Sequence, residues 1–592
     1  MGRDQPVRTG TDLPPETAGM SGRTKLLIFQ LILVVAVCGF VFFFGLNAFG
    51  LVGADEPRYA QIGREMFARH DWIVPTLNGK PWLEKPVLLY WGEMASYSIF
   101  GVRDWAARIP AAAAATALVI VILFFMRRFR KGTELDAALI AASSAAIIGF
   151  GRGASTDMLL TAPFCMAMLA WWAWHETGRR LWLAAFYALL GVGALAKGPI
   201  SPALAVLIIG AYAWLRRQGS IFLRSLWLPG FATFFAIALP WYVAVQTKVP
   251  QFFRVFFLQH NLERFGTNLY QHSQPFWYYI PVFFLAVLPW IVFTLPALID
   301  AVRSGWSIMR TRRDEISAQE TAEDWLAQFL MLWTLIPIVF FSISRSKLPG
   351  YILPSIPAAA MLTAVHLHRT EKIPRLKLML HSLVCGAMIA SMLLAPWFML
   401  KQPVPEGTRI AVAVASGIIA IAVLLVLRYR GLQVLHFITL VPVVLGLGFL
   451  LRFAVVPSRA PYPVHDSVVD LTQSARPVDV ELRRLGVNSG LIAVFNVPHQ
   501  RELEYGLNFY RNQPIYLYTR DPIPDEPHVV IAKEGDGDAV QSSVGQRKVT
   551  SLTVFAPRHL EFFRILSLGS KPPQVPTATE STYAPVASRS PR

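Results

Sequence analysis

The sequence predicts an all-α polytopic membrane protein of about thirteen transmembrane helices, followed by a small C-terminal α/β domain. Its composition is the first indication. Of 592 residues, 54% are hydrophobic and only 16% are charged, and the mean hydropathy is +0.44. Soluble proteins average about 25% charged residues. The second indication is a succession of apolar runs whose lengths approach the roughly 20 residues that a helix needs to cross a bilayer.

The predicted transmembrane domain covers residues 26–455. Its thirteen predicted spans are 26–48, 109–126, 136–150, 158–174, 181–195, 200–215, 226–246, 276–299, 326–344, 351–367, 378–400, 410–427 and 432–451. The first apolar run exceeds the 7–15 residues, roughly, of a signal-peptide core, so we interpret it as a retained first helix. The three cysteines lie inside apolar runs, which argues against a disulfide framework or a zinc finger.

The positions of the positive charges predict the orientation, because Lys and Arg concentrate in short cytoplasmic loops. One set of segments contains 23 Lys and Arg: 1–25, 127–131, 179–180, 216–224, 303–313, 369–377 and 428–430. The short segments of the other side, 151–157, 196–199, 345–350 and 401–409, contain six. The N-terminal segment 1–25 is therefore predicted to be cytoplasmic, and thirteen crossings place the C-terminus outside. The net charge of +18 follows from the same rule, so we predict no nucleic-acid partner.

The predicted outer side has two long loops, 50–108 and 247–275, and the soluble domain 456–567. Amphipathic stretches in both loops, at 57–68 and 252–265, fit helices that lie in the membrane interface. In the soluble domain, strands are predicted at 491–497, 515–519, 529–532 and 549–555, with a helix at 501–510. The tail 568–592 is rich in Ser, Thr and Pro and is predicted to be disordered.

Acids and bases gather at the outer ends of separate helices. The candidate residues are Asp55, Glu56, Arg58, Glu84, Lys85, Asp157, Lys197, His260, Arg264, Arg345, Lys347 and Tyr351. A single charge at a membrane edge is usually an interfacial anchor, and an Asp-Glu pair in a loop is usually a solvated turn. Ionisable groups near membrane depth are costly, however, and their convergence on one side favours a functional site.

This mixture of charges suits glycosyl transfer from a phosphate-linked lipid. The leaving phosphate gains negative charge, which Lys and Arg stabilise. The sugar carbon becomes oxocarbenium-like, and a carboxylate can stabilise it or take a proton from an acceptor hydroxyl. Trp72, Trp82, Trp91 and Trp277 could stack on a sugar, but an aromatic belt at the interface is the stronger interpretation of each one.

Two metal hypotheses arise from the residues alone. Asp536-Gly537-Asp538 has the D-x-D form with which soluble glycosyltransferases hold a metal and a nucleotide sugar, but its composition is typical of a turn. Glu84 and His260 have ligand types that suit zinc. A hydrogen-bonded histidine is the alternative for His260.

The motifs as a set resemble the bacterial lipid A aminoarabinose transferases, of the GT-C class of polyprenyl-phosphate-sugar glycosyltransferases. The resemblance covers roughly residues 25–400. It rests on 55–60 (DEPRYA), 64–66 (REM), 71–75 (DWIVP), 84–86 (EKP), 275–279 (PFWYY) and 347–354 (KLPGYILP). The C-terminal domain is assigned to the family only by its position.

The resemblance implies an undecaprenyl-phosphate donor that carries 4-amino-4-deoxy-L-arabinose, a lipid A phosphate as acceptor, and a bacterial inner-membrane location. It implies that Asp55 is the catalytic acid of the first loop and that Asp157 lies near the sugar. By the same resemblance, Lys85, Arg264 and Tyr351 hold the donor phosphate, and Glu84 with His260 forms a possible divalent-metal site.

Two alternatives remain at this point. A different GT-C enzyme, such as a protein O-mannosyltransferase-like glycosyltransferase, would have similar outer loops and a protein acceptor. A transporter of lipid-linked sugars would also have many helices, but its charges are expected near mid-membrane, often on broken helices.

Overall fold

The computed structural model describes residues 22–256, 274–310, 322–370, 373–399, 403–430, 443 and 468–567. Two compact units divide the chain: Met1–Pro477 with Tyr505–Gln513, and Val478–Glu504 with Pro514–Arg592. The predicted tail and nearly all of the predicted span 432–451 lie outside the described residues, so both stay predictions.

The first unit is almost entirely helical. Its helices are α1 (Gly22–Cys38, continued by a π-helical turn at Gly39–Phe43), α2 (Asp55–Arg69), α3 (Leu88–Phe100), α4 (Asp104–Phe129), α5 (Glu134–Ser143), α6 (Ala145–Gly151), α7 (Thr156–Thr177), α8 (Arg180–Lys197), α9 (Ile200–Leu215), α10 (Gly219–Ser225), α11 (Leu228–Lys248), α12 (Tyr279–Ala286), α13 (Ile291–Arg310), α14 (Ala322–Ile343), α15 (Ile356–Arg369), α16 (Arg375–Met399), α17 (Glu406–Arg430) and α18 (Val468–Gln473). Short 3₁₀ segments at Phe276–Tyr278 and Pro349–Ser355 precede α12 and α15.

Nine helices among the described residues are long and apolar enough to cross a membrane, and a bent pair formed by α5 and α6 raises the number to ten. The predicted spans 158–174 and 200–215 coincide with α7, which is long but less apolar, and with α9, which has 16 residues. The polytopic all-α membrane domain is therefore confirmed, while the count of thirteen spans stays a prediction.

The local sequence explains where the key helices begin and end. Asp55 and Glu56 occupy the first turn of α2, where acidic side chains complement the positive end of the helix dipole. The helix ends at His70, which has left-handed backbone angles. Residue Ser155 caps α7, and Gly178 ends it with a positive φ. The predicted outer loop 50–108 is thus mostly helical and includes α2, at the position of the predicted amphipathic stretch 57–68.

Two helix breaks meet inside the membrane domain. The pair α5 and α6 is bent by 63° at Ser144. The Ala145 N–H donates to the carbonyl of Leu288, which lies between α12 and α13. The Trp290 indole N–H donates to the Ser143 hydroxyl at 2.8 Å. Each break therefore supplies partners for polar groups of the other.

The second unit is a small α/β unit built on a five-stranded sheet. Its strands are β3 (Leu491–Phe495), β4 (Tyr516–Leu517), β5 (His528–Lys533), β6 (Val549–Phe555) and β7 (Leu560–Ile565), in the order β4-β3-β5-β7-β6, whereas β1 (Thr76–Leu77) and β2 (Lys80–Pro81) form a hairpin in the first unit. The pairs β3–β4 and β3–β5 are parallel, and the pairs with β7 are antiparallel. The four predicted strands are confirmed, and β7 was missed.

Three helices complete this part of the chain: α19 (Arg476–Arg484), α20 (Gln500–Arg511) and α21 (Gly537–Val544). The predicted helix 501–510 is confirmed as α20, whose residues from Tyr505 onward belong to the first unit. A turn at Glu534 and Gly535 precedes the D-x-D sequence, but Asp536 is the N-cap of α21 and Gly537 and Asp538 lie in its first turn, so the predicted turn ends before these residues.

Candidate active site

Two adjacent carboxylates, Asp55 and Glu56, open α2, and the second is fully engaged by the protein. The Glu56 carboxylate accepts hydrogen bonds from the Arg108 guanidinium at 2.7 and 3.2 Å. It also accepts from the backbone N–H groups of Val52 and Ala154, at 2.8 and 2.7 Å. We call Glu56, Arg108, Val52 and Ala154 the Arg108 cluster. These four hydrogen bonds tie the first turn of α2 to α4 and to the backbone at Val52 and Ala154.

Arg108 reaches the exit of the first span as well. It is 1% exposed, and it donates to the carbonyl oxygens of Leu46, Phe49 and Gly50 at 2.7–2.9 Å. A guanidinium has five N–H donors in a fixed plane, so one side chain can bind several oxygens at once. The buried arginine of α4 therefore fixes the segment that connects the first span to α2, and with it the position of Asp55.

Asp55 belongs to a second, more open group of charges. Arg58 Nη2 lies 2.6 Å from Asp55 Oδ1 and 3.8 Å from Glu84 Oε2, and Lys85 Nζ lies 3.4 Å from Glu84 Oε1. We call Asp55, Arg58, Glu84 and Lys85 the Arg58 cluster. Burial alone would lower the pKa of the Arg58 guanidinium, but Tyr59, Glu84 and Asp55 outweigh burial and raise that pKa. The arginine therefore stays charged and acts as a fixed partner for both acids.

The members of the Arg58 cluster differ in how much of each side chain is exposed. The Asp55 side chain is 62% exposed, whereas the Arg58 side chain is 5% exposed. The exposed carboxylate is thus held by a buried cation on one side and is open on the other. Such an acid can approach a bound substrate, while the arginine beside it is covered by protein.

A third group joins the ends of α7 and α8. Asp157 lies in the first turn of α7, and its Oδ1 is 2.5 Å from the Nζ of Lys197, the last residue of α8. The same Nζ lies 5.5 Å from the centre of the Tyr351 ring. Gly350 packs so closely on Asp157 that a Cβ at this position would collide with the carboxylate. The chain therefore needs glycine before Tyr351 to bring this tyrosine to the ion pair.

The Arg108 cluster links this third group to α2. Ala154, whose N–H donates to Glu56, precedes Asp157 by three residues. Three residues span at most about 11 Å, so Asp157 lies within that chain distance of a residue bonded to the first turn of α2. The structure therefore brings Asp55, Glu56 and Asp157 to the same end of the helices, as the predicted outer placement requires.

Lys347 and Arg345 differ in how their charges are used. The Lys347 ammonium is buried and donates to the carbonyl oxygens of Gln274, at 3.1 Å, and Ser344, at 2.5 Å. Arg345 is exposed. In this arrangement Lys347 fixes the loop that leads to Gly350, while the guanidinium of Arg345 remains accessible. A substrate-binding role for either residue stays a prediction.

Apart from the exposed Arg345, the predicted site residues that the structure describes fall into three sets. One set joins the Arg58 cluster, another surrounds the Asp157–Lys197 pair, and Glu56 and Lys347 hold neighbouring backbone. His260 and Arg264 lie outside the described residues, so their contacts with Glu84 or with donor phosphate stay predictions. The catalytic roles of Asp55 and Asp157, and the substrate-binding roles of Glu56, Arg58, Lys85, Lys197 and Tyr351, also stay predictions.

Sequence reasoning missed two residues that shape this region. Arg108 lies at the start of an apolar run, and a buried charge at such a position is itself a functional signal that could have identified it. Tyr505 lies far along the chain and packs its ring on Arg58, with 5.6 Å between the guanidinium carbon and the ring centre. Nothing in the local sequence distinguishes Tyr505 from other tyrosines.

The tryptophans suggested for sugar stacking have different surroundings. Trp82 lies on Arg58, with 5.2 Å from the ring centre to the guanidinium carbon. Trp91 donates its indole N–H to the carbonyl of Trp72 at 2.8 Å. The rings of Trp72 and Trp277 are about half exposed. Only these two present open faces, and exposed aromatic rings of this kind also form interface belts.

Comparison with known proteins gives the class of the chain. The family model described as dolichyl-phosphate-mannose-protein mannosyltransferase matches residues 27–256. The crystal structure of ArnT from Cupriavidus metallidurans bound to undecaprenyl phosphate has the same fold, with a TM-score of 0.69 at 22% identity. The superposition covers 90% of this chain and 98% of that one. Fold and site define a polytopic membrane glycosyltransferase of the GT-C class.

Two relatives identify the family of the chain. The undecaprenyl phosphate-alpha-4-amino-4-deoxy-L-arabinose arabinosyl transferase of Edwardsiella ictaluri (strain 93-146) is 31% identical over 482 residues, which are 77% of this chain and 83% of that protein. The enzyme of the same description from Enterobacter sp. (strain 638) is 29% identical over 499 residues, 79% of this chain and 85% of its own length. The chain belongs to this family of arabinosyl transferases.

Proposed function

We propose that the chain transfers 4-amino-4-deoxy-L-arabinose from undecaprenyl phosphate to a phosphate of lipid A. The observation that carries the proposal is the Arg58 cluster, in which an open carboxylate, Asp55, is fixed by a buried cation at the predicted outer end of the helices. This cluster coincides with the sequence that resembles the family most clearly. The names of the relatives supply the sugar and the lipid carrier.

In the proposed reaction, an acceptor oxygen attacks the anomeric carbon of the sugar. The bond between that carbon and the donor phosphate oxygen breaks, and undecaprenyl phosphate leaves with the bonding electrons. A cation stabilises the negative charge that develops on the leaving phosphate. Lys85 and the proposed Arg264 supply such cations, and Tyr351 beside Lys197 supplies a hydroxyl to the same end of the helices.

The role of Asp55 depends on the acceptor. A phosphate acceptor is already an anion at neutral pH and needs no general base. Asp55 then orients the sugar or the acceptor, or stabilises positive charge at the anomeric carbon. A hydroxyl acceptor loses a proton during attack, and in that case Asp55 takes the proton as general base. Asp157, paired with Lys197, is the proposed second carboxylate near the sugar.

A divalent metal is not used in any step of this proposal. Glu84 lies between the cations of Arg58 and Lys85, and this surrounding suits an ion-paired carboxylate better than a metal ligand. In the described part of the chain, no group of three His, Cys, Asp or Glu side chains could hold a metal ion. A Glu84–His260 metal site therefore rests on the family resemblance, and metal analysis of the purified protein would test it.

The proposal places the protein in a bacterial inner membrane, with the N-terminus in the cytoplasm and both the site and the C-terminal α/β unit in the periplasm. The distribution of Lys and Arg between the short loops supports this orientation. A reporter that works only in the periplasm, fused after residue 460, should be active. An equivalent cytoplasmic reporter should be inactive, and the reverse pattern would contradict the orientation.

Mass spectrometry of lipid A tests the substrate. Cells that lack their own transferase should gain one aminopentose on a lipid A phosphate when they express the chain, and should not gain it with Asp55→Asn. The family model of protein mannosyltransferases favours one competing function, glycosylation of a protein hydroxyl. Reconstituted protein should therefore be supplied with labelled donor and either lipid A or membrane-protein acceptors. Transfer to protein alone would replace the proposed function with the competing one.

A further inference from the structure

A segment near the C-terminus packs against the helix that carries Asp55. Residues 505–513, the second half of α20 and the residues after it, belong to the same compact unit as α2. The Arg64 guanidinium donates to the Phe509 carbonyl at 2.8 Å, and the Gln61 amide donates to Asn512 Oδ1 at 3.3 Å. These contacts lie within one turn of α2.

The first residue of this segment completes a ring of aromatic side chains around Arg58. The guanidinium carbon lies 5.1 Å from the ring centre of Tyr59, 5.2 Å from that of Trp82 and 5.6 Å from that of Tyr505. Tyr505 is 7% exposed. Cations within about 6 Å of an aromatic face are attracted by the electron density of that face, and most strongly where water is excluded.

Arg58 in turn holds both acids of its cluster. Its Nη2 atom is 2.6 Å from Asp55 Oδ1 and 3.8 Å from Glu84 Oε2. An arginine side chain has many rotamers, so a guanidinium that is not enclosed would sample several positions. The aspartate is mostly exposed and depends on this contact for its orientation. Loss of one ring would therefore loosen the arginine first and the aspartate second.

We propose that Tyr505 is a positioning residue for the glycosyl transfer, which acts through Arg58 to orient the Asp55 carboxylate. The inference rests on the proposed function and extends it to a part of the chain that contains none of the motifs on which the sequence resemblance rests. It also gives the 505–513 segment a role in catalysis, because one of its side chains limits the positions open to Arg58. Tyr505 itself needs no contact with donor or acceptor.

Kinetics of purified variants test the proposal. Tyr505→Leu should lower kcat about 2- to 30-fold, the range that one cation–π contact supports, with the donor KM within about twofold of wild type. Tyr505→Phe keeps the ring and should retain most of the kcat. Phe509→Leu, in the same helix, removes a ring that lies 6.0 Å from Arg64 rather than near Arg58, and serves as the matched control.

A double-mutant cycle separates positioning from structural support. Arg58→Lys and Tyr505→Leu should be non-additive in kcat, since each disrupts the same contact, whereas Arg58→Lys and Phe509→Leu should be additive. Additive kcat effects of the first pair, or a wild-type kcat in Tyr505→Leu, would overturn the proposal. So would a Tyr505→Leu loss that follows thermal stability alone and recurs in Phe509→Leu.

The same assay distinguishes failure of this inference from failure of the proposed function. Wild-type protein that uses the donor with a protein acceptor but not with lipid A would refute the proposed function, and the cycle would then be measured on that acceptor. Wild-type protein that transfers no sugar from any lipid-linked donor would overturn both.

Discussion

The two carboxylates that begin α2 are neighbours in sequence and opposites in surroundings. Glu56, in the Arg108 cluster, accepts four hydrogen bonds and connects three parts of the chain. Asp55, in the Arg58 cluster, has one ion pair and an open side. Two acids of one motif can therefore differ in what they are free to contact. An acid whose oxygens accept several hydrogen bonds from the protein is occupied, whereas an acid with one ion pair and an exposed side can contact a substrate.

The largest expected effect is that of Asp55→Asn on activity. The substitution keeps the size of the side chain and removes its charge. Transfer should fall by about 10²–10⁴-fold if Asp55 is a general base, and by about 10²–10³-fold if it stabilises charge at the anomeric carbon. The loss of stability should be smaller than in Arg108→Met, because the Asp55 side chain is mostly exposed and Glu84 remains beside Arg58. Donor turnover and melting temperature of the purified variant check both parts. Wild-type turnover would show that the carboxylate is structural and would make Asp157 the first candidate for its role.

Arg108→Met should mainly lower the stability of the protein, whereas Asp55→Asn should mainly lower its activity. It leaves the Glu56 carboxylate without its buried cation, at a cost of about 3–5 kcal/mol in the free energy of unfolding. Thermal denaturation in detergent measures the loss. Arg103→Met, five residues earlier and exposed, is the matched control and should be close to neutral. Equal melting temperatures for the two variants would contradict the assignment of the Arg108 cluster as structural.

Lys85→Ala should reduce donor use with little loss of stability. Removing one electrostatic contact to a developing oxyanion costs about 2.7–4 kcal/mol in comparable sites, which corresponds to a 10²–10³-fold lower turnover, roughly. The rate of transfer from a labelled polyprenyl-phosphate sugar measures the effect. Lys80→Ala, at the exposed hairpin in the same loop, controls for general loss of positive charge. A similar loss in both variants would argue for non-specific attraction to the membrane.

The smallest expected effect concerns Glu93, a buried acid that is influenced by the charge of Glu56. It lies in α3, is fully buried, and neither carboxylate oxygen has a hydrogen-bond partner among the described residues. Burial, and secondarily the charge of Glu56, raise the pKa of Glu93 well above its usual value. Folding therefore favours the protonated form, and the contribution of Glu93 to stability is lost as the pH rises from its ordinary pKa through its folded value.

Glu93→Gln should remove this dependence and stabilise the protein at neutral pH by about 1–3 kcal/mol. The gain should be small near about pH 5 and should increase toward about pH 8. In this range the unfolded wild type has released the Glu93 proton, whereas the folded wild type must still hold it, so wild-type stability falls as the pH rises. Melting temperatures across that range measure it. Glu406→Gln, at the exposed start of α17, should show no such trend. A gain that is independent of pH would mean that Glu93 is not protonated in the folded protein.

Much of the fold follows from the sequence because hydrocarbon imposes simple requirements. Apolar runs of sufficient length predict spans, and alternating apolar residues predict the strands of the second unit. Helices such as α9, with 16 residues, are shorter than the roughly 20 residues that a span usually needs. Neighbouring helices rather than lipid cover part of their surface. Hydropathy alone therefore leaves the number of spans open.

The candidate site was predictable as a group of residues but not in its internal arrangement. The Asp55-Glu56 pair could be recognised, yet nothing in the sequence shows that Arg108, 52 positions after Glu56, binds the second acid and leaves the first open. The contacts of Lys347 could not be predicted either, because tertiary packing determines which carbonyl oxygens its ammonium reaches. Contacts between distant segments, such as that of Tyr505 with Arg58, depend on the folded chain.

The two helix breaks that meet in the membrane domain have a consequence for biogenesis. Polar backbone groups left unpaired in hydrocarbon cost several kcal/mol each. The N–H of Ala145 finds its carbonyl partner at Leu288, and that partner is synthesised about 140 residues later. During synthesis, the Ala145 N–H therefore needs another partner, such as water or a lipid headgroup, until Leu288 has been made. The order of translation thus becomes part of how this membrane domain acquires its final hydrogen bonds.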